Sequence, residues 1–441
     1  MSLQSLPLEL ISLIVEEFQS DKKSLKNISL VSRPFLHACR THLFTVLRIN
    51  SLQPAFDYKC KAWYDLVRRS PALLPYIRVL ELGPPIFRVS KDTAVWSSQW
   101  GDIMRRGVPS IHDEKLEFIM AGATNVKKVI LRLEYQPWQN FSPAFRQTVL
   151  DLIQRESVAS LSIEDVIGFP FETLRNCRGL KDLSLISITA SEHPSDEAQT
   201  DHQRQSGRMG HLESFTAIAS DQCIGPLIDT LSSARSNLDI SRLQRLAVNI
   251  TGTDGRTALS RFPICSQTIT TLDLRLNSSK EYDVCDLQKF PNLRSLFISA
   301  AYTPFYRPIL PLARLLARGG KSSNLQELKI FFRQESPDFE EFEPESPSQA
   351  LTRICMSRDW KEFEQKLTKQ ALFPSLRKMS LVFRPEDMTI FLNDYLTMSL
   401  HLCLVKAMPA LYALTNPTIE VYDDRFEQYI PNIFETKNRL Y

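Results

Sequence analysis

Between residues 75 and 385 one short hydrophobic pattern returns ten times: an apolar residue, two residues of any kind, an apolar residue, one residue, and a third apolar residue. It reads Ile77/Leu80/Leu82, Val126/Val129/Leu131, Val158/Leu161/Ile163, Leu180/Leu183/Leu185, Leu212/Phe215/Ala217, Leu243/Leu246/Val248, Ile269/Leu272/Leu274, Leu293/Leu296/Ile298, Leu325/Leu328/Ile330 and Leu376/Met379/Leu381. The final pair in each set is spaced by two, as a strand requires when one of its faces is buried. Stretches at 143–156, 225–235, 308–318 and 357–372 place apolar residues three or four apart, which predicts helices between the strands. Strand, helix and strand recurring at intervals of roughly 22 to 50 residues predict an α/β chain, stacked as a solenoid with a parallel inner sheet.

The residue between the last two apolar positions of each set points away from the core. Those positions are Glu81, Ile130, Ser162, Ser184, Thr216, Ala247, Asp273, Phe297, Lys329 and Ser380. Their chemistry is mixed, which suits recognition of a particular protein surface and not a repetitive polymer. Glu81, Ile130, Ser184, Asp273, Phe297 and Lys329 are the candidate substrate-binding residues.

Residues 5–44 follow a different rule. Ser5 followed by Leu6-Pro7 reads as a helix entry, because serine caps free backbone N–H groups and proline fits a first turn. Leu10, Ile11, Ile14, Val15 and Phe18 follow at helical spacing as one wide stripe. Asp21-Lys22-Lys23-Ser24 breaks the pattern, a second short helix runs from Leu25 to about Val31, and a third starts after Ser32 with Pro34 in its first turn. Phe35, Leu36, Ala38, Cys39, Leu43 and Phe44 give that helix its apolar face. About 40 residues of helix are too few to bury this much apolar surface internally, so something else must cover part of it.

Leu6-Pro7-Leu8-Glu9-Leu10, Ile14, the spacing from Asp21 to Leu25, and Ser29-Leu30-Val31-Ser32-Arg33-Pro34-Phe35 followed by Arg40 and Leu43-Phe44 resemble the F-box. The resemblance implies a three-helix module over residues 1–48 that binds the Skp adaptor, which bridges to a cullin scaffold carrying the ubiquitin-transfer machinery. Carried over by position, Leu6, Pro7, Leu10, Ile14, Leu25, Leu30, Val31 and Phe35 make the adaptor contact. The repeat region, residues 49–384, resembles the irregular leucine-rich repeats found behind F-boxes. It departs from regular repeats in one respect: the asparagine usual three positions after the last apolar residue occurs only at Asn277, so a regular asparagine ladder is missing. Residues 385–441, with an apolar helix around 391–408, are expected to cap the last repeat.

Composition narrows the chemistry. Of 441 residues, 43% are hydrophobic and 23% charged, as in an ordinary folded protein. The 53 basic and 50 acidic residues nearly cancel, and the basic pairs Arg68-Arg69, Arg105-Arg106 and Lys127-Lys128 are isolated, so nucleic acid is not an expected partner. Eight scattered cysteines suggest reduced thiols of an intracellular protein, in the cytoplasm or the nucleus or both. The first apolar stretch is interrupted by Glu9, Glu16 and Glu17, and the best spanning candidate, near 388–405, by Asn393, Asp394 and His401; neither a signal peptide nor a membrane span is expected. Residues 191–210, poor in apolar side chains, are expected to be a flexible loop, and the acidic stretch 335–345 a solvated insertion.

Candidate catalytic and cofactor features fail on spacing. In Gly319-Gly320-Lys321-Ser322 the first glycine of a phosphate-binding loop would fall on Leu315, within a helix, so these glycines are expected to end that helix. His37, Cys39 and His42 do not share one helix face and lack a fourth ligand nearby, so no metal is expected. No cofactor and no intrinsic catalysis are expected. The function implied is a substrate receptor that holds a client near a charged ubiquitin-transfer enzyme, with proximity supplying the acceleration. A protein-binding scaffold uncoupled from degradation, and a ligand pocket on the inner surface, are the competing readings.

Overall fold

A computed structural model of the chain describes residues 6–49, 58–83, 114–190, 209–218, 221–233, 236–250, 262, 265–276, 285–302, 308–318, 324–334, 357–369, 373–384, 402–411 and 418–421. Its backbone is mixed α/β with an extensive parallel sheet. The chain divides into two compact units, one formed by residues 1–212 with 229–239 and the other by 213–228 with 240–441.

The first unit opens with three helices, α1 (Leu8–Glu16), α2 (Lys22–Ile28) and α3 (Arg33–Leu43). Pro7 precedes α1 with φ −54°, an angle already suited to helix entry. The start of α2 differs from the sequence expectation by three residues, for a clear reason. The Asp21 carboxylate accepts from the backbone N–H of Lys23 at 3.0 Å and of Ser24 at 3.2 Å, so the apparent break is a helix cap. The Ser24 hydroxyl and these backbone bonds hold the Asp21 carboxyl below its usual pKa. Ser32 and Pro34 open α3 as expected. Ile11 and Val15 of α1, Leu25 of α2, and Phe35, Ala38 and Cys39 of α3 close a small core, with Leu6, Ile28 and Leu43 packed against it.

The chain leaves α3 straight into β1 (Val46–Ile49), which pairs with β2 (Val79–Leu82). Two contacts tie the helical module to the next elements of the chain. Phe44 meets Trp63 of α4 (Tyr58–Arg69) edge to face, and the Tyr76 hydroxyl lies 2.7 Å from His37 Nδ1. After α5 (Glu114–Gly122) come β3 (Lys128–Pro137), α6 (Pro143–Ile153), β4 (Ser160–Phe169) and β5 (Asp182–Ala190). Strands β1 to β5 lie in sequence order, and each pairs in parallel with the next. Two short strands, β6 (Gly210–His211) and β8 (Leu238–Asp239), pair separately, so the expected loop at 191–210 ends in a strand residue.

The second unit repeats the arrangement with β7 (Ser214–Ile218), β9 (Arg245–Ile250), β10 (Thr271–Leu276), β11 (Ser295–Tyr302), β12 (Glu327–Gln334), β13 (Lys378–Arg384) and β14 (Thr418–Val421), again all parallel. The expected helices correspond to α6, α7 (Asp221–Ser232), α8 (Ile309–Arg318) and α9 (Asp359–Lys369), each within a few residues of the sequence reading. All ten apolar sets end in these strands; β1 carries a further set of the same spacing, Phe44/Leu47/Ile49, which the sequence reading did not include, and β14 carries no complete set.

One hydrogen-bond device recurs at the start of the strands. The carbonyl of Thr45 accepts from both Arg78 and Val79 N–H, that of Arg78 from Lys127 and Lys128, and that of Lys127 from Ala159 and Ser160. The same double acceptance occurs at Glu213, Gln244, Thr270, Arg294 and Gln326, at 2.8 to 3.0 Å. It locks each strand in register with the one before, whatever the length of the crossover between them. Asparagines do help to join the rungs, but from the residue before the first apolar position of a set. Asn125 donates to Pro75 O at 3.0 Å, Asn292 to Gln267 O at 2.7 Å and Asn324 to Pro291 O at 3.1 Å. Position 277 lies outside the described residues.

The close spacing sets steric limits at several glycines, among them Gly83, Gly179 and Gly210. Gly83 follows β2 with φ +101°, and a Cβ there would lie 2.0 Å from the Arg132 carbonyl oxygen. Gly83→Ala is therefore expected to cost roughly 1–3 kcal/mol, read as a lower urea midpoint. Gly122→Ala, whose added methyl would meet the movable end of Leu74, should cost clearly less. Equal losses in the two variants would contradict the steric account.

Candidate functional site

Helix α1 turns Ile11 and Val15 inward, while Leu8, Leu10, Leu13 and Ile14 face outward. A helix apolar on nearly every side requires cover on nearly every side. Its own module provides that for two residues. Exposure is 61% at Leu8, 58% at Leu13, 46% at Leu10 and 39% at both Ile14 and Phe18. The turn between α2 and α3 adds Leu30, exposed by 83%, and Val31, by 55%. These seven make up the larger part of the twelve exposed large hydrophobic residues among the described positions, although the module is a small part of the chain.

Of the expected adaptor contacts, Pro7, Leu10, Ile14, Leu30 and Val31 lie at the surface, and Leu6 is half-buried against the module core. Leu25 and Phe35 require correction. Both are enclosed by their own module and offer no surface, so their part is to hold α2 and α3 in place. Sequence reasoning missed Leu8 and Leu13 as surface groups. The signal was available: once Ile11 and Val15 define the inward line of α1, apolar residues off that line must face elsewhere.

On the sheet, the face opposite the helix-packed side carries the expected substrate contacts. Arg48 Nε and Glu81 pair at 2.8 Å across β1 and β2. Farther along, Arg132 Nε donates to Glu164 at 2.9 Å, and Ser162 Oγ donates to the same carboxylate at 3.0 Å. Glu81, Ser184 and Lys329 are partly exposed, and the Lys329 ammonium lies 5.0 Å from the centre of the Phe331 ring. Ile130, Asp273 and Phe297 are buried, which corrects their assignment as open contacts; Ala247 and Ser380 are buried as well. In-register neighbours about 4.8 Å away on each side shield side chains of central strands.

Asp273 is the electrostatic exception on this face. It is 6% exposed, with Ala247 and Phe297 opposite it on the flanking strands. Burial pushes its carboxyl up to about 6, and Arg275, two residues on, only partly opposes that shift. Asn249, opposite Arg275, has a buried Oδ1 that accepts no hydrogen bond. Burial also raises the thiols of Cys177, Cys265 and Cys285 to about 12, which leaves them poor nucleophiles and poor metal ligands. Among the described residues, no group of three or more His, Cys, Asp or Glu is placed to hold a metal, and no helix is long and apolar enough to cross a membrane. The sequences 319–322 and 335–345 lie outside the described residues.

The raised Asp273 value sets a direction for stability against pH. Below its unfolded value near 3.8 the group is protonated in both states and imposes no penalty. From there to about 6 the folded state holds the proton more tightly, so stability falls as pH rises, and the penalty is complete above that window. Asp273→Asn is expected to be more stable than the parent at pH 7 by about 3 kcal/mol, with the difference shrinking towards pH 4. Denaturation midpoints at the two pH values would check this, and an advantage that does not change with pH would refute the assignment.

Compared with known proteins, the chain matches no family model and no curated protein sequence.

Proposed function

We propose that this protein is the substrate receptor of a Skp-cullin-F-box ubiquitin ligase. In this reading α1 to α3 are the F-box and bind the Skp adaptor, and the parallel sheet with its crossovers is an irregular leucine-rich-repeat solenoid that binds a protein client. The chain performs no chemistry itself. It holds the client near a ubiquitin-charged enzyme, in the cytoplasm or the nucleus or both, and proximity lowers the barrier.

The observation that carries this reading is the open apolar surface of a module whose own core is already closed. Covering a large apolar side chain yields about 1.5–3 kcal/mol when burial is complete. Seven such residues, each partly exposed, supply on the order of 10 kcal/mol before the cost of association, enough for a stable complex. The partial exposure of Glu81, Ser184 and Lys329 supports a more modest role for the sheet, as a surface of mixed chemistry open at selected points.

The test is co-purification of the full chain with the Skp adaptor. Leu10→Ala with Ile14→Ala is expected to lower affinity at least tenfold, about 1.4 kcal/mol, while leaving the denaturation midpoint nearly unchanged because neither side chain belongs to the module core. Leu25→Ala should instead unfold the module, at roughly 2–5 kcal/mol. Full adaptor binding by the Leu10/Ile14 variant would overturn the surface assignment. A client captured with the intact chain, but neither ubiquitinated nor shortened in lifetime, would favour the scaffold reading.

A further inference from the structure

The same open surface has a charged border on one side. Lys22 and Lys26 of α2 stand four residues apart and Leu30 four residues beyond, on a turn that continues the helix through a bond from Leu30 N–H to Asn27 O at 3.1 Å. Lys23 lies beside them, and Arg33 follows Val31 by two residues at the start of α3. All four cationic residues are exposed, and none takes part in an ion pair among the described residues. The nearby carboxylate in this stretch, Asp21, is engaged with Ser24 and the backbone of Lys23 at the head of α2. The exposed Leu30 and Val31 are thus bracketed along the chain by unpaired positive charge.

We infer that the partner covering the apolar surface of α1 and the α2–α3 turn is a protein with an acidic border, which meets Lys22, Lys23, Lys26 and Arg33 around an apolar centre. This rests on the adaptor reading and adds the charge of the partner to it. The division of labour follows from exposure. Apolar groups at the centre, removed from water on binding, supply affinity that salt hardly changes. Cations at the rim stay solvated, so they steer encounter and lose that influence as ions screen them.

The experiment measures association of the full chain with purified Skp adaptor at about 50 mM and 500 mM salt, where the screening length falls severalfold. The parent chain is expected to associate about tenfold more slowly at the higher salt, with a smaller change in dissociation. Lys22→Glu with Lys26→Glu should slow association about tenfold at low salt and abolish most of the salt dependence. Lys22→Gln with Lys26→Gln should fall between, and equal denaturation midpoints would verify that each variant is folded. Association at the parent rate and salt dependence in the glutamate variant would overturn the acidic border while leaving the adaptor reading intact. Failure of the parent chain to associate at either salt would overturn both.

Discussion

A parallel strand paired residue for residue with the strand before it has no freedom over which side chains face the core. In this protein the pairing is fixed at its start, where one carbonyl takes two N–H groups from the next strand, at Thr45, Arg78 and Lys127 and again at Gln244, Thr270 and Arg294. Because side chains alternate with a period of two, the register puts Leu272 and Leu274 on the core side and Asp273 on the other. It explains how crossovers of unequal length still give one repeating sheet: the loop is free to vary provided its last residues reach the waiting carbonyl.

The same constraint acts on the module through helix geometry. With Ile11 and Val15 committed to the core, α1 can turn only the remainder of its apolar residues outward, and the short α2 and α3 have no surface to spare for them. Small domains bury a poor fraction of their apolar surface, and here the shortfall is concentrated between Leu8 and Val31. The proposed adaptor interface therefore follows from a packing deficit, and its charged border from unpaired cations at the edge of that deficit.

The sheet face opposite the helices is less open than a row of outward positions suggests. Some polar groups there satisfy one another, as Arg132, Ser162 and Glu164 do. Asp273 instead carries a desolvation penalty with partial relief from Arg275. Of the six candidate contacts, Glu81, Ser184 and Lys329 remain partly exposed on this face.

Several features were determined by the amino-acid sequence itself. The apolar sets such as Leu243/Leu246/Val248 located their strands because a half-buried strand and its period of two leave a pattern that neighbours cannot erase. Pro34 after Ser32 located α3 for an equally local reason, namely a fixed φ angle that suits a first turn. Only the tertiary structure decided that Leu25 and Phe35 are core while Leu8 and Leu13 are surface, and that Ile130, Asp273 and Phe297 are shielded. Periodicity states that a residue is apolar and on which side of its own element it stands. Whether that side is covered depends on elements distant in the chain, and that information is held in the packing.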